Sequence, residues 1–295
     1  MSTRQERIAI FEENKEWRKN TNYDNCKTID RSINLQRIYW EYEEVEPAWT
    51  RYPRPARMIL SRKKTVEAAH AYRKWPVNPN VEYLYPGFRN VCILNFASSV
   101  SPGGGVAQGA QAQEESICRV TTLYFALSHP ETAGKFYDHH WDLIRRGFMD
   151  RRNTDDIIYT PFVMILRDDA GNERMLNPMD QSVISVITCA APDLRRTGDR
   201  SEYTPTRKEL LRTLENRWRK ILSVAASNKV DVLILGAFGC GVFANPPEIV
   251  VEAFNNVIPY FRNYFEIIEF AVYSPNGDSA NYRAFKGIRD IQEAR

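Results

Sequence analysis

Residues 94–119 read LNFASSVSPGGGVAQGAQAQEESICR, which has the features of a strand, a loop and a helix in succession. An apolar run ends in small polar residues, three glycines follow at 103–105, and the carboxylates Glu114 and Glu115 open a helical pattern. In open α/β sheets, ligands bind outside the carboxyl ends of strands, and glycines allow the backbone to approach a ligand closely. This segment therefore suits the binding of a sugar or a phosphate.

A second glycine loop follows another apolar run, in the sequence LILGAFGCGVFANPP of residues 233–247. Backbone N–H groups in such a turn, and at a helix N-terminus, form an anion-binding site without lysine or metal. Taken alone, three glycines could make only a loop, and two glutamates could merely favour the start of a helix. Two glycine loops at the ends of two predicted strands favour a binding site instead.

Outward from these loops, apolar β-branched runs alternate with helical patterns. The predicted strands are Val91–Phe96, Ile157–Leu166, Val183–Ala190, Val230–Leu235 and Ile267–Tyr273. The predicted helices are residues 114–127, 205–227 and 246–261. This alternation predicts an α/β fold with a mixed, mostly parallel sheet and helices on its faces.

The N-terminal part of the chain has a different character. Residues 1–60 are charged and aromatic with few periodic runs, a helical pattern covers residues 63–75, and four prolines or glycines mark residues 76–87 as a connector. We therefore expect residues 1–75 to form an accessory segment, largely helical or irregular, and residues 76–295 to form the main domain.

Composition excludes several classes of protein. The chain has 295 residues, of which 40 are basic and 37 acidic, so its formal charge of +3 indicates neither direct nucleic-acid binding nor a membrane surface. No apolar run approaches the roughly 18 residues of a membrane span. The five cysteines are far apart and show no zinc-binding spacing. We expect a cytoplasmic protein with reduced thiols that binds no metal and no cofactor.

Familiar catalytic motifs are missing from the sequence. Neither loop has the G-x-G-x-x-G pattern of a dinucleotide site, and no Gly-Lys-Ser/Thr of a P-loop or G-x-S-x-G of a serine hydrolase is present. The four histidines, His70, His129, His139 and His140, occur outside any recognisable triad, which favours surface or packing roles for them.

The combination of Pro102-Gly-Gly-Gly and, seven residues later, Gln113-Glu-Glu resembles the signature of the microbial poly(ADP-ribose) glycohydrolases. The loop at 236–243 is similar to the phosphate-binding loop of that family, whose fold is a macrodomain. The residues 188–192 and 281–285 match in the same order. The resemblance implies that residues 76–295 form a macrodomain-like catalytic domain.

The resemblance also implies an activity, the hydrolysis of the ribose–ribose O-glycosidic bond of poly(ADP-ribose) to release ADP-ribose. Poly(ADP-ribose) and ADP-ribosylated proteins would be the substrates. Glu115 would serve first as general acid and then as general base, while Glu114 would hold neighbouring ribose hydroxyls. The implied ligand-binding residues are Asn95, Gly103, Gly104, Gly105, Gln113, Gly239, Cys240, Gly241, Val242 and Phe243.

Some features oppose or qualify this assignment. A helix N-terminus stabilises an ionised carboxylate, so an acid there requires a raised pKa, from burial, the adjacent carboxylate or the incoming pyrophosphate. Phe243 could simply pack in the core. Ala191-Pro192-Asp193, at the end of another predicted strand, is a candidate neighbour of the site.

Three other functions remain open at this point. The chain could be a macrodomain that binds ADP-ribose without cleaving it, although such a module does not need Glu115. It could be an ADP-ribosyl hydrolase that acts on a modified side chain or base. A nucleic-acid-binding protein would have to use the basic residues at 51–64 and 145–152, which we interpret as solvated faces.

Overall fold

The computed structural model describes residues 2–47, 49–72, 89–198 and 202–294. Its eight strands are β1 (Arg37–Tyr39), β2 (Arg57–Ser61), β3 (Val91–Phe96), β4 (Ile157–Ile165), β5 (Ser182–Cys189), β6 (Val232–Leu235), β7 (Ile267–Ala271) and β8 (Ile291–Glu293). They form one sheet in the order β1-β4-β5-β3-β6-β7-β2-β8. Six neighbouring strands of this sheet, β5, β3, β6, β7, β2 and β8, are parallel to one another. Strand β4 is antiparallel to β5, and β1 is antiparallel to β4. The prediction of a mixed, mostly parallel sheet is confirmed.

Helices cover both faces of this sheet. They are α1 (Arg4–Asn20), α2 (Tyr23–Asn34), α3 (Thr65–His70), α4 (Gln113–Val120), α5 (Leu123–Leu127), α6 (Pro130–Thr132), α7 (His139–Arg145), α8 (Arg207–Ser227), α9 (Pro247–Val257) and α10 (Ala280–Phe285). Alternate residues of β3 enter opposite cores, because successive side chains of a strand point to opposite faces. Cys92 and Leu94 pack with α8 and α9, whereas Val91 and Ile93 pack with α3, α4 and α5.

The helix predicted at residues 114–127 is two helices, α4 and α5. The interruption falls at Thr121 and Thr122, where the chain contacts strand β4. Thr121 forms a bridge with Ile165, and the Thr122 hydroxyl accepts a hydrogen bond of 2.9 Å from the N–H of Met164. These contacts with the sheet replace the helical hydrogen bonds at this point, so the helix that carries the acid pair stays short.

The N-terminal segment contributes directly to the sheet. Strand β2 lies between β7 and the edge strand β8, and β1 forms the other edge of the sheet. Helix α1 begins with a capping box in which Thr3 and Glu6 bond each other's backbone. The helix predicted at residues 63–75 is the shorter α3, and residues 73–75, like the predicted connector at 76–87, lie outside the described residues. The division of the chain at residue 75 stays a prediction.

Candidate active site

The two glycine loops leave the sheet side by side, because β3 and β6 are adjacent and parallel, with Cys92 opposite Leu233. Phe96 is the last residue of β3, and Phe238 lies three residues after β6. The centroids of their rings are 5.7 Å apart. The carboxyl ends of parallel strands therefore bring both loops to one edge, as the sequence predicted.

The first loop, residues 97–105, follows β3 and packs against the acid pair. Gly104 has a φ of +57°, and a Cβ at this position would lie 2.5 Å from Glu115 Oε1 and 3.0 Å from Glu114 Oε2. Any side chain would therefore strain the backbone and collide with both carboxylates. The loop needs glycine here because the backbone runs directly over the two acids.

Glu115 presents one oxygen to the loop and leaves the other unbonded. It lies in the first turn of α4 and is only 7% exposed. Its Oε1 accepts a hydrogen bond of 2.9 Å from the N–H of Gly105. Its Oε2 is buried and has no hydrogen-bond partner among the described residues. A buried polar atom without a partner is uncommon in native proteins and needs an explanation such as a bound ligand.

Glu114 has both oxygens engaged and is 3% exposed. Oε2 accepts from the N–H of Ser98 at 2.7 Å, and Oε1 accepts from Asn95 Nδ2 at 3.3 Å. Burial raises the pKa of Glu114 to about 8, and the neighbouring charge of Glu115 adds a smaller contribution in the same direction. For Glu114, loss of hydration outweighs the hydrogen bonds and the helix N-terminus, both of which favour the ionised form.

Gln113 and Asn95 hold this arrangement together. The Gln113 amide accepts from the N–H of Phe96 at 2.8 Å and donates to the carbonyl of Leu94 at 2.7 Å, so it fastens the start of α4 to the end of β3. Asn95 is fully buried, and its Oδ1 has no partner among the described residues. Gln113 lies at the site as predicted, but its hydrogen bonds indicate a bracing role.

The second loop, residues 236–243, contains two glycines in different environments. Gly239 has a φ of +72°, and a Cβ there would lie 2.6 Å from Ala191 Cβ and from Asn245 Nδ2. Around Gly241 a Cβ would meet no described atom within 4 Å. Gly239 is therefore required by the loop itself, whereas Gly241 faces open space.

The other predicted residues of this loop are Cys240, Val242 and Phe243. Burial raises the pKa of the Cys240 thiol to about 12, so it adds no negative charge to an anion site. Val242 is 57% exposed. Phe243 is half-buried, and the guanidinium of Arg195 lies 5.2 Å from its ring centroid. All three are thus at the surface of the loop or just beneath it.

Two residues that sequence reasoning did not assign contact the loops, one each. The Asn153 side chain accepts from the Ser99 hydroxyl at 2.7 Å and donates to the carbonyl of Ala191 at 2.6 Å. Arg195 forms a two-atom ion pair with Asp193 beside Phe243. The motif at 191–193 indicated that this part of the chain lies near the site, which includes the neighbourhood of Arg195. Asn153 lies in a charged segment with no recognisable motif.

A cavity of about 850 Å³ opens beside the start of α4 and is bordered by α1 and by residues 169–173, and neither glutamate of the acid pair lines it. It reaches the carboxyl end of the sheet at Phe96, the last residue of β3, at Ala237 after β6 and at Tyr273 after β7. Because these residues come from segments far apart in sequence, no local pattern predicted the cavity. Its position at the carboxyl ends of the strands is the usual one for a ligand site in an open α/β sheet.

Two features are absent from the described residues. No group of three or more His, Cys, Asp or Glu side chains among them could hold a metal ion. None of the helices in the described ranges is long and apolar enough to cross a membrane.

A mostly parallel sheet with two glycine loops at one edge and a buried acid pair beneath them defines a macrodomain-like ligand-binding fold. The family model of the microbial-type poly(ADP-ribose) glycohydrolase (PARG) catalytic domain matches residues 4–168, more than half of the chain. The chain therefore belongs to the microbial-type poly(ADP-ribose) glycohydrolase family.

Solved structures agree with this assignment. The poly(ADP-ribose) glycohydrolase of Thermomonospora curvata is 29% identical, with a TM-score of 0.75 over 95% of this chain and 98% of that one. The same enzyme bound to the inhibitor ADP-HPD gives 29% and 0.73, with the same coverage. The Deinococcus radiodurans enzyme in complex with ADP-ribose is 29% identical, with a TM-score of 0.67 over 88% of this chain and 95% of that one. No match was found among curated protein sequences.

Proposed function

We propose that this protein hydrolyses the ribose–ribose O-glycosidic bond of poly(ADP-ribose) and releases ADP-ribose. Cleavage at an anomeric carbon passes through an oxocarbenium-like state, so the site must protonate the leaving oxygen and then activate water. We assign both proton transfers to Glu115. In the first it gives its proton to the leaving ribose oxygen, and in the second it takes a proton from the attacking water.

This assignment rests on Glu115 Oε2, which has no hydrogen-bond partner among the described residues. One oxygen of the carboxyl group is fixed by the N–H of Gly105, so the side chain is oriented, while the other is buried and bonded to no described residue. Both oxygens of Glu114 are already engaged. A proton donor must first be within reach of the reacting atom, and its pKa matters only after that condition is met.

Glu114 and Asn95 are proposed to hold the terminal ribose. With a pKa near 8, Glu114 is mostly neutral at pH 7, so it adds no full negative charge to the site. Asn95 contributes an amide oxygen that is buried and accepts no hydrogen bond within the described chain. We propose that a ribose hydroxyl supplies the missing donor for this amide oxygen.

The remainder of the ligand is assigned to the second loop and the cavity. We place the pyrophosphate on the backbone of residues 239–242, where Gly241 leaves open space, and Phe243 against the adjoining ribose. The cavity that begins at Phe96 and Ala237 lies next to this loop and is large enough for a nucleoside. The substrates are then poly(ADP-ribose) and ADP-ribosylated proteins, in the cytoplasm, without a metal or cofactor.

The decisive experiment compares Glu115→Gln with Glu114→Gln. Glutamine keeps the size and hydrogen bonding of Glu115 but transfers no proton, so we expect at least about a hundredfold lower turnover of poly(ADP-ribose) with ADP-ribose binding retained. Glu114→Gln is the matched control and should lose less, since it impairs only positioning. Released products are measured by chromatography, with and without EDTA, which should have no effect.

The alternatives predict other outcomes. A reader that binds ADP-ribose without cleavage shows no turnover for the wild type and equal binding by both variants. A hydrolase of modified side chains or bases releases ADP-ribose from a mono-ADP-ribosylated substrate but leaves the polymer intact. Activity that survives in Glu115→Gln and vanishes in Glu114→Gln reverses the assigned roles.

A further inference from the structure

His140 is a buried histidine that the proposed chemistry does not use. It lies on α7, is 0% exposed, and packs against the first glycine loop. Its Nδ1 is 2.9 Å from the carbonyl oxygen of Ser99, and its Nε2 is 2.8 Å from Asp156 Oδ2. One ring thus connects the loop over the acid pair to a carboxylate at the start of β4.

The geometry determines the protonation state of this ring. A backbone carbonyl only accepts hydrogen bonds, so Nδ1 must carry a hydrogen to bond Ser99. An ionised carboxylate also only accepts, so Nε2 must carry a second hydrogen to bond Asp156. A neutral imidazole has one N–H and would leave a lone pair facing an acceptor oxygen at one of these two short distances.

The surroundings of Asp156 favour its ionised form. Burial opposes ionisation, but hydrogen bonds from His140, the Thr154 hydroxyl and the N–H of Glu41 hold the pKa of Asp156 below its usual value. The N–H of Glu41 bonds Oδ1 at 2.6 Å, so each oxygen of this carboxylate has a donor. Asp156 thus offers Oδ2 as the acceptor for the second N–H of the ring.

The other groups that face His140 do not provide an alternative partner. Thr154 Oγ1 is 3.4 Å from Nε2, and the rings of Phe136 and His139 lie 4.3 and 6.0 Å from the His140 ring centroid. The nearest further charges are engaged elsewhere. Asp155 is paired with Arg217, and Lys220 donates to the carbonyl of Trp40 at 2.6 Å.

We propose that His140 is a positioning residue whose imidazolium form clamps the carbonyl of Ser99 and so holds residues 97–105 over the acid pair. The N–H groups of Ser98 and Gly105, in this same loop, orient the carboxyl groups of Glu114 and Glu115. The consequence for turnover rests on the proposed function, whereas the protonation state and the order of the loop do not.

The first test is spectroscopic and needs no activity. In the ¹⁵N NMR spectrum at pH 7, both ring nitrogens of His140 should show the shifts of protonated nitrogens, with assignment by loss of the signals in His140→Gln. Hydrogen exchange at the amides of Ser98 and Gly105 should be at least tenfold faster in His140→Gln, because a glutamine donates to only one of the two acceptors. The exposed neighbour provides the control, and His139→Gln should leave both amides unchanged.

The second test uses Asp156→Asn, which retains every hydrogen bond with a neutral ring. The new amide nitrogen donates to Nε2, Nδ1 still donates to Ser99, and the amide oxygen still accepts from Glu41. Exchange at Ser98 and Gly105 and the kcat for poly(ADP-ribose) should therefore stay near the wild-type values in Asp156→Asn, whereas His140→Gln should show about a tenfold lower kcat with little change in KM.

Opposite results overturn the inference in separable ways. One unprotonated ring nitrogen at pH 7 overturns the imidazolium, and unchanged exchange at Ser98 and Gly105 in His140→Gln overturns the clamp. A loss of kcat in Asp156→Asn as large as that in His140→Gln, with the Ser99 hydrogen bond retained, contradicts the link between the clamp and turnover. If the wild type does not cleave poly(ADP-ribose), the proposed function fails, and the NMR and exchange measurements still decide the role of His140.

Discussion

At the scale of single residues, the two glycines of the second loop offer a clean comparison. Gly241 faces open space, so Gly241→Val should leave the free energy of unfolding within about 0.5 kcal/mol, as is usual for surface substitutions. The new side chain would occupy the proposed pyrophosphate position and should weaken ADP-ribose binding at least tenfold. Calorimetric titration and urea unfolding measure the two effects.

Gly239→Val should behave differently, because its Cβ would collide with Ala191 and Asn245 at a positive φ. We expect a loss of folding stability of roughly 1–3 kcal/mol, the scale of backbone strain, in addition to weaker binding. The sequence alone did not distinguish the two glycines, since it assigned both to ligand binding. Normal binding by Gly241→Val would place the pyrophosphate elsewhere.

Glu114 should make stability depend on pH. Its pKa is about 8 in the folded protein and near 4.5 in an unfolded chain, so the folded state holds a proton that the unfolded state has lost between these values. The wild type should therefore lose stability relative to Glu114→Gln as the pH rises from about 4.5 to about 8, with little further change above. Urea unfolding at several pH values tests this, with the exposed Glu12→Gln as control. A constant difference between the two proteins across this range would contradict the raised pKa.

The site residues show what a sequence can and cannot predict at this scale. Glu114, Glu115 and the glycines could be proposed as site residues because a short motif holds them together in the chain. The roles within the pair were harder to predict, since the free oxygen of Glu115 depends on the path of the loop above it. Asn153 and His140 were missed because their partners are distant in sequence and no motif marks them.

At the scale of elements, helix α1 braces the turn that follows the glycines. Arg7 is buried, and its Nε donates to the carbonyl of Gly109 at 2.8 Å. Hydrogen bonds to charged groups contribute about 1.5–3 kcal/mol, so Arg7→Met should destabilise the protein by that amount. We also expect faster hydrogen exchange at residues 106–110. Arg18→Met, at the far end of the same helix, should leave that exchange unchanged, and equal exchange in both variants would refute the brace.

The elements themselves were predictable where the pattern was local. Strand β3 has the predicted bounds, and α8 begins two residues after the predicted start because Thr206 caps it. Strands β1, β2 and β8 were missed because they lie in charged stretches whose apolar runs are no longer than three residues. The break between α4 and α5 was missed as well, since it arises from contacts of two threonines with β4.

At the scale of the whole molecule, ligand binding should stabilise the fold. A ligand that binds only the native state adds about 2.7 kcal/mol when its concentration is a hundred times Kd. ADP-ribose should therefore raise Tm by several degrees in a thermal shift assay, and Gly241→Val should respond less at the same concentration. Absence of any shift at millimolar ADP-ribose would contradict the proposed binding site.

The position of β2 between β7 and β8 also has a consequence for how the protein is made. Ser61 on β2 bonds Glu269 on β7, a residue 208 positions later. During synthesis on the ribosome, β2 emerges long before either neighbour exists, so its backbone N–H and C=O groups have no partner strand and its apolar side chains have no core through most of translation. Contacts between such distant segments slow folding and expose the nascent chain to aggregation. The yield of active protein should consequently depend on chaperones and on a low growth temperature during expression.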